Sequence, residues 1–285
     1  MGSGPGSTIP STPSDSLLPD EILHRLRSAR FGKSGLHHYR EIGSTNDRAR
    51  QLALHGCPEG TVVVADSQSA GRGRLGRTWE SPPGTGLYFS LILRPDFPAK
   101  DGPRVTLLAG VAVCRAVNAL VGLEARIKWP NDILVHGRKV AGILAEMEVN
   151  QDRIHHVVVG VGVNVNTHPS SFPAVLRERS SSLAVEARRT VSKTALLCSI
   201  LIEMEDLWDV LLSSGFEPIR EAWRELNATL GHRVRAEGVG AGLVGKAVDL
   251  DPDGSLLVRS DDGTLHKVPF GEVSLLAPRT PDTTS

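Results

Sequence analysis

Three glycines and three arginines occupy the seven positions from Gly71 to Arg77, and this heptapeptide constrains the chain more than any other feature. Glycine lets a backbone turn tightly and approach a ligand closely. Arginine carries a fixed positive charge on a forked donor that suits phosphate and carboxylate. We therefore expect a loop that wraps a small anion, although a mobile basic surface loop would also account for the composition.

The glycine spacing matches the G-x-G-x-x-G fingerprint of dinucleotide-binding folds, and the apolar run 62–64 precedes it. Asp96 follows about twenty residues further on, as that motif requires. The fingerprint must open a helix, however, so that phosphate can lie at the helix N-terminus. Residues 77–86 contain two prolines and two glycines, which exclude a regular helix. The sequence also lacks the H-R-D, D-F-G and P-loop motifs, so neither a protein kinase nor a P-loop protein is expected.

The bulk composition narrows the class of protein. The chain has 285 residues, a formal net charge of zero and 40% hydrophobic residues, which suits one large globular domain or one plus a small one. Charge balance argues against a general nucleic-acid binder. Three scattered cysteines without a C-x-x-C pair indicate a reducing compartment rather than a disulfide framework or a thiolate zinc site. No signal peptide is evident and no apolar run reaches the length of a membrane span, so we predict a cytoplasmic protein.

The hydrophobic pattern predicts an α/β body up to about residue 228 and a smaller β unit after it, where turn sequences separate short apolar stretches. The predicted helices are 17–31, 44–56, 103–120, 192–213 and 216–228. The predicted strands of the body are 36–42, 61–66, 87–93, 125–129, 133–136, 139–148 and 154–165, with an antiparallel hairpin at 137–138.

Three further segments concentrate polar groups at strand ends or on one strand face. Residues 128–132, Lys-Trp-Pro-Asn-Asp, end a strand, because the residue before proline leaves helical geometry. Lys139 opens the next strand pair beside Gly142, where a missing side chain leaves room for a ligand or a close backbone. In residues 160–164, Gly, Gly and Asn alternate with valine and so share one face. Taken alone, 128–132 is also explained by a turn, Lys139 by an exposed lysine that ends a hairpin, and 160–164 is a weak signal.

Taken together, five segments resemble the motif set of bacterial biotin protein ligases in order and approximate spacing. They are 43–46, 68–79, 128–132, 139–144 and 160–164, and the resemblance extends from about residue 38 to 277. Residues 271–275, Gly-Glu-Val-Ser-Leu, are similar to that family's small C-terminal domain. The related lipoate ligases share the fold but lack the Gly-Arg loop.

The resemblance implies an α/β (α+β) fold, in which a mixed, largely antiparallel sheet is flanked by helices as in class II aminoacyl-tRNA synthetases and biotin ligases. A small SH3-like β-barrel is implied at the C-terminus. The expected divisions are a disordered leader and short helix at 1–37, a catalytic domain at 38–228, the SH3-like domain at 229–278 and a tail at 279–285.

The resemblance also implies an activity. Members of this family activate biotin with ATP to biotinyl-5′-AMP and pyrophosphate, then pass the biotinyl group to one lysine of a biotin carboxyl carrier protein. Mg²⁺ is expected with the triphosphate, but its protein ligands are unknown. No covalent enzyme nucleophile is needed, in agreement with the absence of a G-x-S-x-G motif.

Residue roles follow from the same resemblance. Arg74 and Lys139 would be catalytic, because they would close over and polarise the biotin carboxylate and the α-phosphate. Helix capping also accounts for Ser44 and Thr45, and core packing also accounts for Trp79. Biotin would contact Ser44, Thr45, Asn46, Gln68, Gly71, Arg72, Arg74, Lys139 and Gly142. ATP would contact Arg72, Arg74, Arg77, Trp79, Asn131, Asp132, Lys139 and Asn164.

Some family members carry an N-terminal winged helix-turn-helix and repress biotin operons. Only about 37 residues precede the expected catalytic body, too few for such a reader, so we expect a ligase that binds no DNA. Two rival interpretations remain, a biotin-binding regulator without catalysis and an enzyme of the same fold acting on lipoate or octanoate. The sequence is compatible with a homodimer without requiring one.

Overall fold

The computed structural model describes residues 15, 17–237, 242–269 and 271–276. Most of the predicted leader, residues 1–14 and 16, and the predicted tail, residues 279–285, lie outside the described residues. The predicted domain boundaries therefore stay predictions, although the change from helices to short strands after residue 228 is seen directly.

A seven-stranded mixed sheet forms the body, as predicted. Its strands are β1 Leu36–Tyr39, β2 Val62–Ala65, β3 Gly86–Leu93, β4 Arg126–Lys128, β5 Asp132–Val135, β6 Arg138–Asn150 and β7 Arg153–Asn164. Their order is β1-β2-β3-β7-β6-β5-β4. Within it β1 and β2 run parallel, and the other neighbours run antiparallel. The predicted antiparallel hairpin joins β5 to β6, but its two connecting residues are His136 and Gly137, one position earlier than the predicted 137–138.

Six helices of the described residues flank this sheet: α1 Pro19–Arg25, α2 Thr45–Leu54, α3 Pro103–Val121, α4 Leu183–Ala187, α5 Lys193–Ser214 and α6 Glu217–Leu226. Alternate residues of a strand point to opposite faces. Val62 and Val64 join the large core with α3 and α5, whereas Val63 packs with Ala49 and Leu52 of α2. The sheet is thus covered on both faces. Of the six helices, α4 was not predicted from the sequence.

The predicted long helix from Pro103 is confirmed, and the middle of α3 is buried as expected. By length and composition, however, the segment Ala99–Val121 could cross a membrane, so the prediction that no apolar run reaches that length is wrong. In the structure, 67% of its most apolar window is buried inside the protein, where α3 packs against α5 and α6. The apolar sequence is therefore used as a core helix.

The predicted helix 17–31 is shorter than expected, since α1 ends at Arg25 and Leu26 is extended. The backbone of the residues after α1 forms hydrogen bonds outside that helix. The backbone N–H groups of residues 29, 30 and 31 donate to the Glu205 carboxylate at 2.8, 2.8 and 2.6 Å. A buried carboxylate on α5 thus satisfies three donors that a continued helix would have used internally.

Five antiparallel strands follow the body: β8 Arg233–Glu237, β9 Leu243–Leu250, β10 Leu256–Ser260, β11 Leu265–Val268 and β12 Glu272–Leu275. Their order is β11-β10-β9-β8-β12, which agrees with the expected small SH3-like unit. Val234, Ala247 and Val258 belong to the same hydrophobic core as the body. The C-terminal sheet is therefore packed onto the body.

Glu205→Gln is expected to destabilise the fold by about 1–3 kcal/mol at neutral pH, because an amide cannot accept three backbone N–H groups as a carboxylate does. Urea unfolding measures this loss. Glu203→Gln on the same helix is the matched control, since Glu203 has a single ion pair at 3.9 Å, with Arg115. Equal losses in the two variants would show that the three donors do not matter.

The pH dependence of this effect has a defined sign. Burial raises the pKa of Glu205, but the three backbone donors outweigh it, so the pKa lies below its ordinary 4.5. Its stabilisation is complete above the unfolded-state pKa and is lost as pH falls through the folded-state pKa. The stability gap between wild type and Glu205→Gln should therefore shrink below about pH 4.5. Burial raises the pKa of Glu203, so that control should show the opposite trend.

Candidate active site

A cavity of about 620 Å³ lies where the Gly-Arg loop, the β6–β7 hairpin and β12 of the C-terminal sheet meet. Nearly all the residues predicted to bind biotin or ATP border it. They are Ser44, Thr45, Asn46, Gln68, Arg72, Arg74, Arg77, Trp79, Asn131, Asp132, Lys139, Gly142 and Asn164. The structure thus brings five distant sequence segments to one place, while the ligand contacts assigned to each residue stay predictions.

Gly71 is the exception, because it does not border the cavity. A Cβ at this position would lie 2.4 Å from the Trp79 carbonyl oxygen and 2.8 Å from Ser81 Oγ. The Gly71 carbonyl also accepts the Trp79 N–H at 2.9 Å. Close packing inside the loop therefore explains why this position is glycine. The resemblance implied a contact with biotin instead.

The Gly-Arg segment is a closed hairpin and opens no α-helix, as predicted. The Gly73 N–H donates to the Arg77 carbonyl at 2.7 Å, and Arg72 is bridged to Thr78. Its tip is a single 3₁₀ turn in which Leu75 and Gly76 have φ of 55° and 73°. Consecutive left-handed residues reverse the chain here, so this loop cannot supply a helix N-terminus to a phosphate.

Two of the three loop arginines are held by carboxylates from other elements. Arg72 Nη2 lies 2.8 Å from Asp47 Oδ1 on α2 and 2.9 Å from Glu146 Oε2 on β6. Arg77 Nη2 lies 2.6 Å from Glu272 Oε2 on β12. These ion pairs tie the loop to both faces of the cavity.

Arg74 differs from its two neighbours because, in the part of the chain that the structure describes, it forms no ion pair. It makes one hydrogen bond, from Nη1 to Asn131 Oδ1 at 3.3 Å. Burial lowers the pKa of its guanidinium, although Glu272 and Asp132 oppose the shift. The group stays charged, since arginine is not deprotonated in proteins. A half-buried cation without a direct ion pair in the described residues therefore borders the cavity.

Asp132 lies between two lysines. Its Oδ1 is 2.5 Å from Lys139 Nζ and its Oδ2 is 3.9 Å from Lys128 Nζ. Lys139 Nζ also lies 5.3 Å from the Trp79 ring centroid, within cation–π range. The strand end 128–132 and the start of β6 thus form one small charge cluster with a net charge of +1.

Amide and hydroxyl groups form a second cluster in the cavity. Gln68 Oε1 accepts the Thr45 N–H at 2.8 Å and the Thr45 hydroxyl at 3.1 Å. Ser90 donates to Asn46 Oδ1 at 2.6 Å, and Asn46 Nδ2 donates to Glu146 Oε2 at 2.7 Å. These bonds fix the rotamers of side chains that can present donors and acceptors to a polar ring.

Helix capping does not explain Ser44. It stands at the N-cap of α2, but its side chain makes no capping hydrogen bond. Gln68 satisfies the Thr45 N–H of α2 instead. The capping alternative for Ser44 and Thr45 is therefore not supported, which leaves both residues available for the cavity.

The glycines of β6 and β7 make room for side chains of the protein itself. From the sequence, we expected a ligand or a close backbone at these positions. Gly142 pairs with Gly162, and a Cβ on Gly162 would lie 2.5 Å from the Trp79 ring. A Cβ on Gly160 would lie 2.1 Å from Asn46 Oδ1. The Trp79 ring therefore packs against the sheet at these glycines, and its buried indole N–H has no hydrogen-bond partner within the described residues.

Asn164 is buried and its Nδ2 donates to the Ser181 carbonyl at 3.1 Å. Ser181 belongs to the segment 179–181, which pairs with the start of β6. The Lys139 N–H donates to the Arg179 carbonyl at 2.8 Å, and the Ser181 N–H donates to the Lys139 carbonyl at 2.9 Å. Asn164 therefore holds the segment 179–181 beside the cavity. Its predicted contact with ATP would be a second role.

Sequence reasoning missed several residues of the site. Glu146 lies in the predicted strand 139–148 and Glu272 in the segment 271–275. Their arginine partners are 74 and 195 positions away, and no local pattern signals such pairs. It also missed the rim formed by Phe172, Leu176 and Arg179. Among the described residues no cluster of three or more His, Cys, Asp or Glu side chains could hold a metal ion by itself.

Trp129 links the site to the C-terminal sheet. It is buried, its backbone N–H donates to Thr229 Oγ1 at 2.9 Å, and its indole N–H donates to the Gly254 carbonyl at 3.2 Å. Asn131 and Asp132 follow directly in the chain. The position of the charged strand end therefore depends on the second domain.

The fold and the site define a protein of the biotin and lipoate ligase class. The profile of the Biotin/lipoate A/B protein ligase family matches residues 39–164, and that of the Biotin protein ligase C terminal domain matches residues 229–276. The chain is 38% identical over 259 residues to the Bacillus subtilis bifunctional ligase/repressor BirA, covering 91% of this chain and 79% of that protein. The chain belongs to the biotin protein ligase family.

Two further relatives support this assignment. The biotin–[acetyl-CoA-carboxylase] ligase of Paracoccus denitrificans is 34% identical over 240 residues, which cover 81% of this chain and 96% of that protein. The crystal structure of the Aquifex aeolicus biotin protein ligase with biotin and ATP superposes with a TM-score of 0.73 at 30% identity, covering 86% of this chain and 99% of that one.

Trp129→Phe is expected to cost about 1–3 kcal/mol more stability than a phenylalanine substitution that breaks no hydrogen bond, because it leaves the buried Gly254 carbonyl unpaired. Trp223→Phe is the matched control, since Trp223 is fully buried and its indole N–H has no partner within the described residues. Urea unfolding of both variants measures the difference. Equal losses would show that the Trp129–Gly254 bond contributes nothing.

Proposed function

We propose that this chain activates biotin with ATP to biotinyl-5′-AMP and pyrophosphate, then transfers the biotinyl group to a lysine of a biotin carboxyl carrier protein. The observation that carries the proposal is the half-buried Arg74, which has no ion pair among the described residues, in the same cavity as Lys139 and the Thr45–Gln68–Asn46 cluster. One cavity thus offers fixed cations and a polar, prearranged binding cluster.

The first step brings two anions together, since the biotin carboxylate oxygen must attack the α-phosphorus while the bond to pyrophosphate breaks. Two like unit charges about 4 Å apart repel by about 4 kcal/mol at an effective dielectric constant near 20. Arg74 and Lys139 would offset this repulsion and hold the reactants in line. The ureido ring of biotin would bind the Thr45, Asn46 and Gln68 side chains, with Ser44 beside them.

In the second step the acceptor amine attacks the carbonyl carbon of biotinyl-AMP, and AMP leaves. Neither step requires an enzyme nucleophile. The three cysteines do not border the cavity, and burial raises the pKa of the Cys114 and Cys198 thiols. A thiolate intermediate is therefore disfavoured, in keeping with direct transfer.

Mg²⁺ would enter with ATP. This ion is usually held by substrate phosphates, water and one or two carboxylates rather than by a protein cage. Asp132 fits that donor set as a carboxylate beside the cations of the cavity. The metal would neutralise charge on the triphosphate.

We further propose that the protein acts in the cytoplasm and without operator DNA, in agreement with its zero net charge. A gel-shift assay with the promoter DNA of biotin genes tests the second point. We also propose a homodimer, and sedimentation analysis measures the oligomeric state.

The protein should catalyse biotin-dependent exchange of labelled pyrophosphate into ATP. Biotin binding without exchange would favour a regulator that has lost catalysis. Biotin and lipoate should also be compared for protection against thermal unfolding, since a ligand stabilises the state that it binds. Stronger protection by lipoate would favour the lipoate-acting enzyme of the same fold.

Arg74→Gly is expected to release biotinyl-AMP about 10- to 100-fold faster, because a charge-assisted contact of about 1.5–3 kcal/mol is lost. Leu75→Gly is the matched control, since Leu75 is exposed and its φ of 55° suits glycine. The measurement is biotinylation of a bystander protein by escaped adenylate. Equal leakage from the two variants would rule out Arg74 as the retaining group.

A further inference from the structure

One carboxylate oxygen joins the amide and hydroxyl cluster of the cavity to the Gly-Arg loop. Glu146 Oε2 accepts from Asn46 Nδ2 at 2.7 Å and lies 2.9 Å from Arg72 Nη2. Asn46 and Arg72 border the cavity, whereas Glu146 does not. Asn46 belongs to α2, Arg72 to the loop and Glu146 to β6. Glu146 therefore connects two parts of the cavity wall without lining the cavity itself.

The Asn46 amide has a defined orientation. Its Nδ2 donates to the Leu144 carbonyl at 3.2 Å as well as to Glu146, and neither a carbonyl nor a carboxylate can donate in return. Its Oδ1 accepts from Ser90 Oγ at 2.6 Å. An amide oxygen has two lone pairs, so Oδ1 can accept one more donor. Glu146 thus helps to present an acceptor, which suits an N–H group of the biotin ureido ring.

Arg72 is shared between two carboxylates. Its Nη2 lies 2.8 Å from Asp47 Oδ1 and 2.9 Å from Glu146 Oε2. Of these two carboxylates, only that of Glu146 also binds the Asn46 amide within the described residues. A shift of that amide would therefore disturb the same oxygen that holds the loop, while a loss of Asp47 would not.

We propose that Glu146 is a positioning residue, which orients the Asn46 amide for the biotin ring and links that contact to the position of the Gly-Arg loop. The inference rests on the proposed function. Glu146 does not touch the ligand, because it acts through Asn46 on one side and Arg72 on the other. Biotin held by Asn46 would favour the loop position in which Arg72 meets the same carboxylate, and such a coupling acts equally in both directions.

The first test is the biotin dissociation constant, measured by calorimetry without ATP. Glu146→Ala should raise it about tenfold, because the charge-assisted hydrogen bond that orients Asn46 is lost. Glu148→Ala is the matched control, since Glu148 lies on the same strand, is exposed and does not border the cavity. That control should stay within about twofold of wild type. A tenfold loss in both variants would contradict a specific role of Glu146.

A double-mutant cycle shows whether Glu146 acts through Asn46. Asn46→Ala should itself weaken biotin binding. Adding Glu146→Ala should then raise the dissociation constant by less than about threefold, because the contact between the two side chains is already absent. If the two losses multiply in full, Glu146 acts independently of Asn46, and the proposal is wrong.

Trypsin reports the position of the loop, since it cleaves after arginine and the loop contains three. Saturating biotin should slow this cleavage in wild type. Glu146→Gln keeps an oxygen for Asn46 but removes the charge that holds Arg72, so biotin affinity should change little. Biotin protection of the loop from trypsin should nevertheless fall at least about fivefold. This measurement does not depend on the folding of Glu146→Ala.

Ser90→Ala separates the two sides of the link. It removes the Ser90 bond to Asn46 Oδ1 and leaves Arg72 with both carboxylates. Biotin affinity should therefore fall, while saturating biotin should still protect the loop as in wild type. Equal protection in Ser90→Ala and Glu146→Gln would show that Glu146 does not link the ring contact to the loop.

The remaining outcomes separate this inference from the proposed function. If wild type binds biotin and exchanges pyrophosphate but Glu146→Ala binds biotin as tightly as wild type, the positioning role is wrong and the ligase assignment stands. If wild type neither binds biotin nor exchanges pyrophosphate, the proposed function fails, and this inference fails with it.

Discussion

The site depends on a patch of sheet without side chains. Gly142 and Gly162 lie opposite each other on β6 and β7, and Gly160 lies further along the same face. Because these positions have no Cβ, the Trp79 ring and the Asn46 amide can lie directly on the sheet. Trp79 follows the Gly-Arg loop, so its contact with the glycines sets how far that loop stands from the sheet. The space that remains between them is the cavity.

Charge pairing decides what this cavity can bind. Carboxylates on α2, β6 and β12 neutralise Arg72 and Arg77, so these arginines mainly hold the loop in place. Arg74 keeps its charge without a carboxylate partner of its own in the described residues. An entering anion would therefore find the Arg74 and Arg179 guanidinium groups, which form no ion pair within the described residues, and two lysines that share the Asp132 carboxylate. A loop of three free arginines would instead attract any polyanion, and the zero net charge of the chain is consistent with this restraint.

Much of the fold and the membership of the site could be predicted from the sequence, because the determining signals are local. Proline opened α3, two-residue turn chemistry placed the β5–β6 hairpin, and five ordered motifs gave most of the cavity-lining residues. The failures arose where distant residues override local preference. Glu205 binds the backbone of residues 29–31 from more than 170 positions away and ends the predicted first helix early. Ser44 has the sequence of a cap, yet Gln68 performs that task.

The C-terminal sheet completes the site from two directions. Glu272 reaches the loop through Arg77, and the Gly254 turn reaches the strand end 128–132 through Trp129. The loop contributes Arg74, one of the two cations of the proposed reaction. The other cation, Lys139, is ion-paired with Asp132 of the strand end. Since both contacts come from the C-terminal antiparallel sheet and its β9–β10 turn, the spacing of these cations is set by the second domain as much as by the first. A body without that sheet would keep every ligand-facing residue named from the motifs and still lose the distance between its charges.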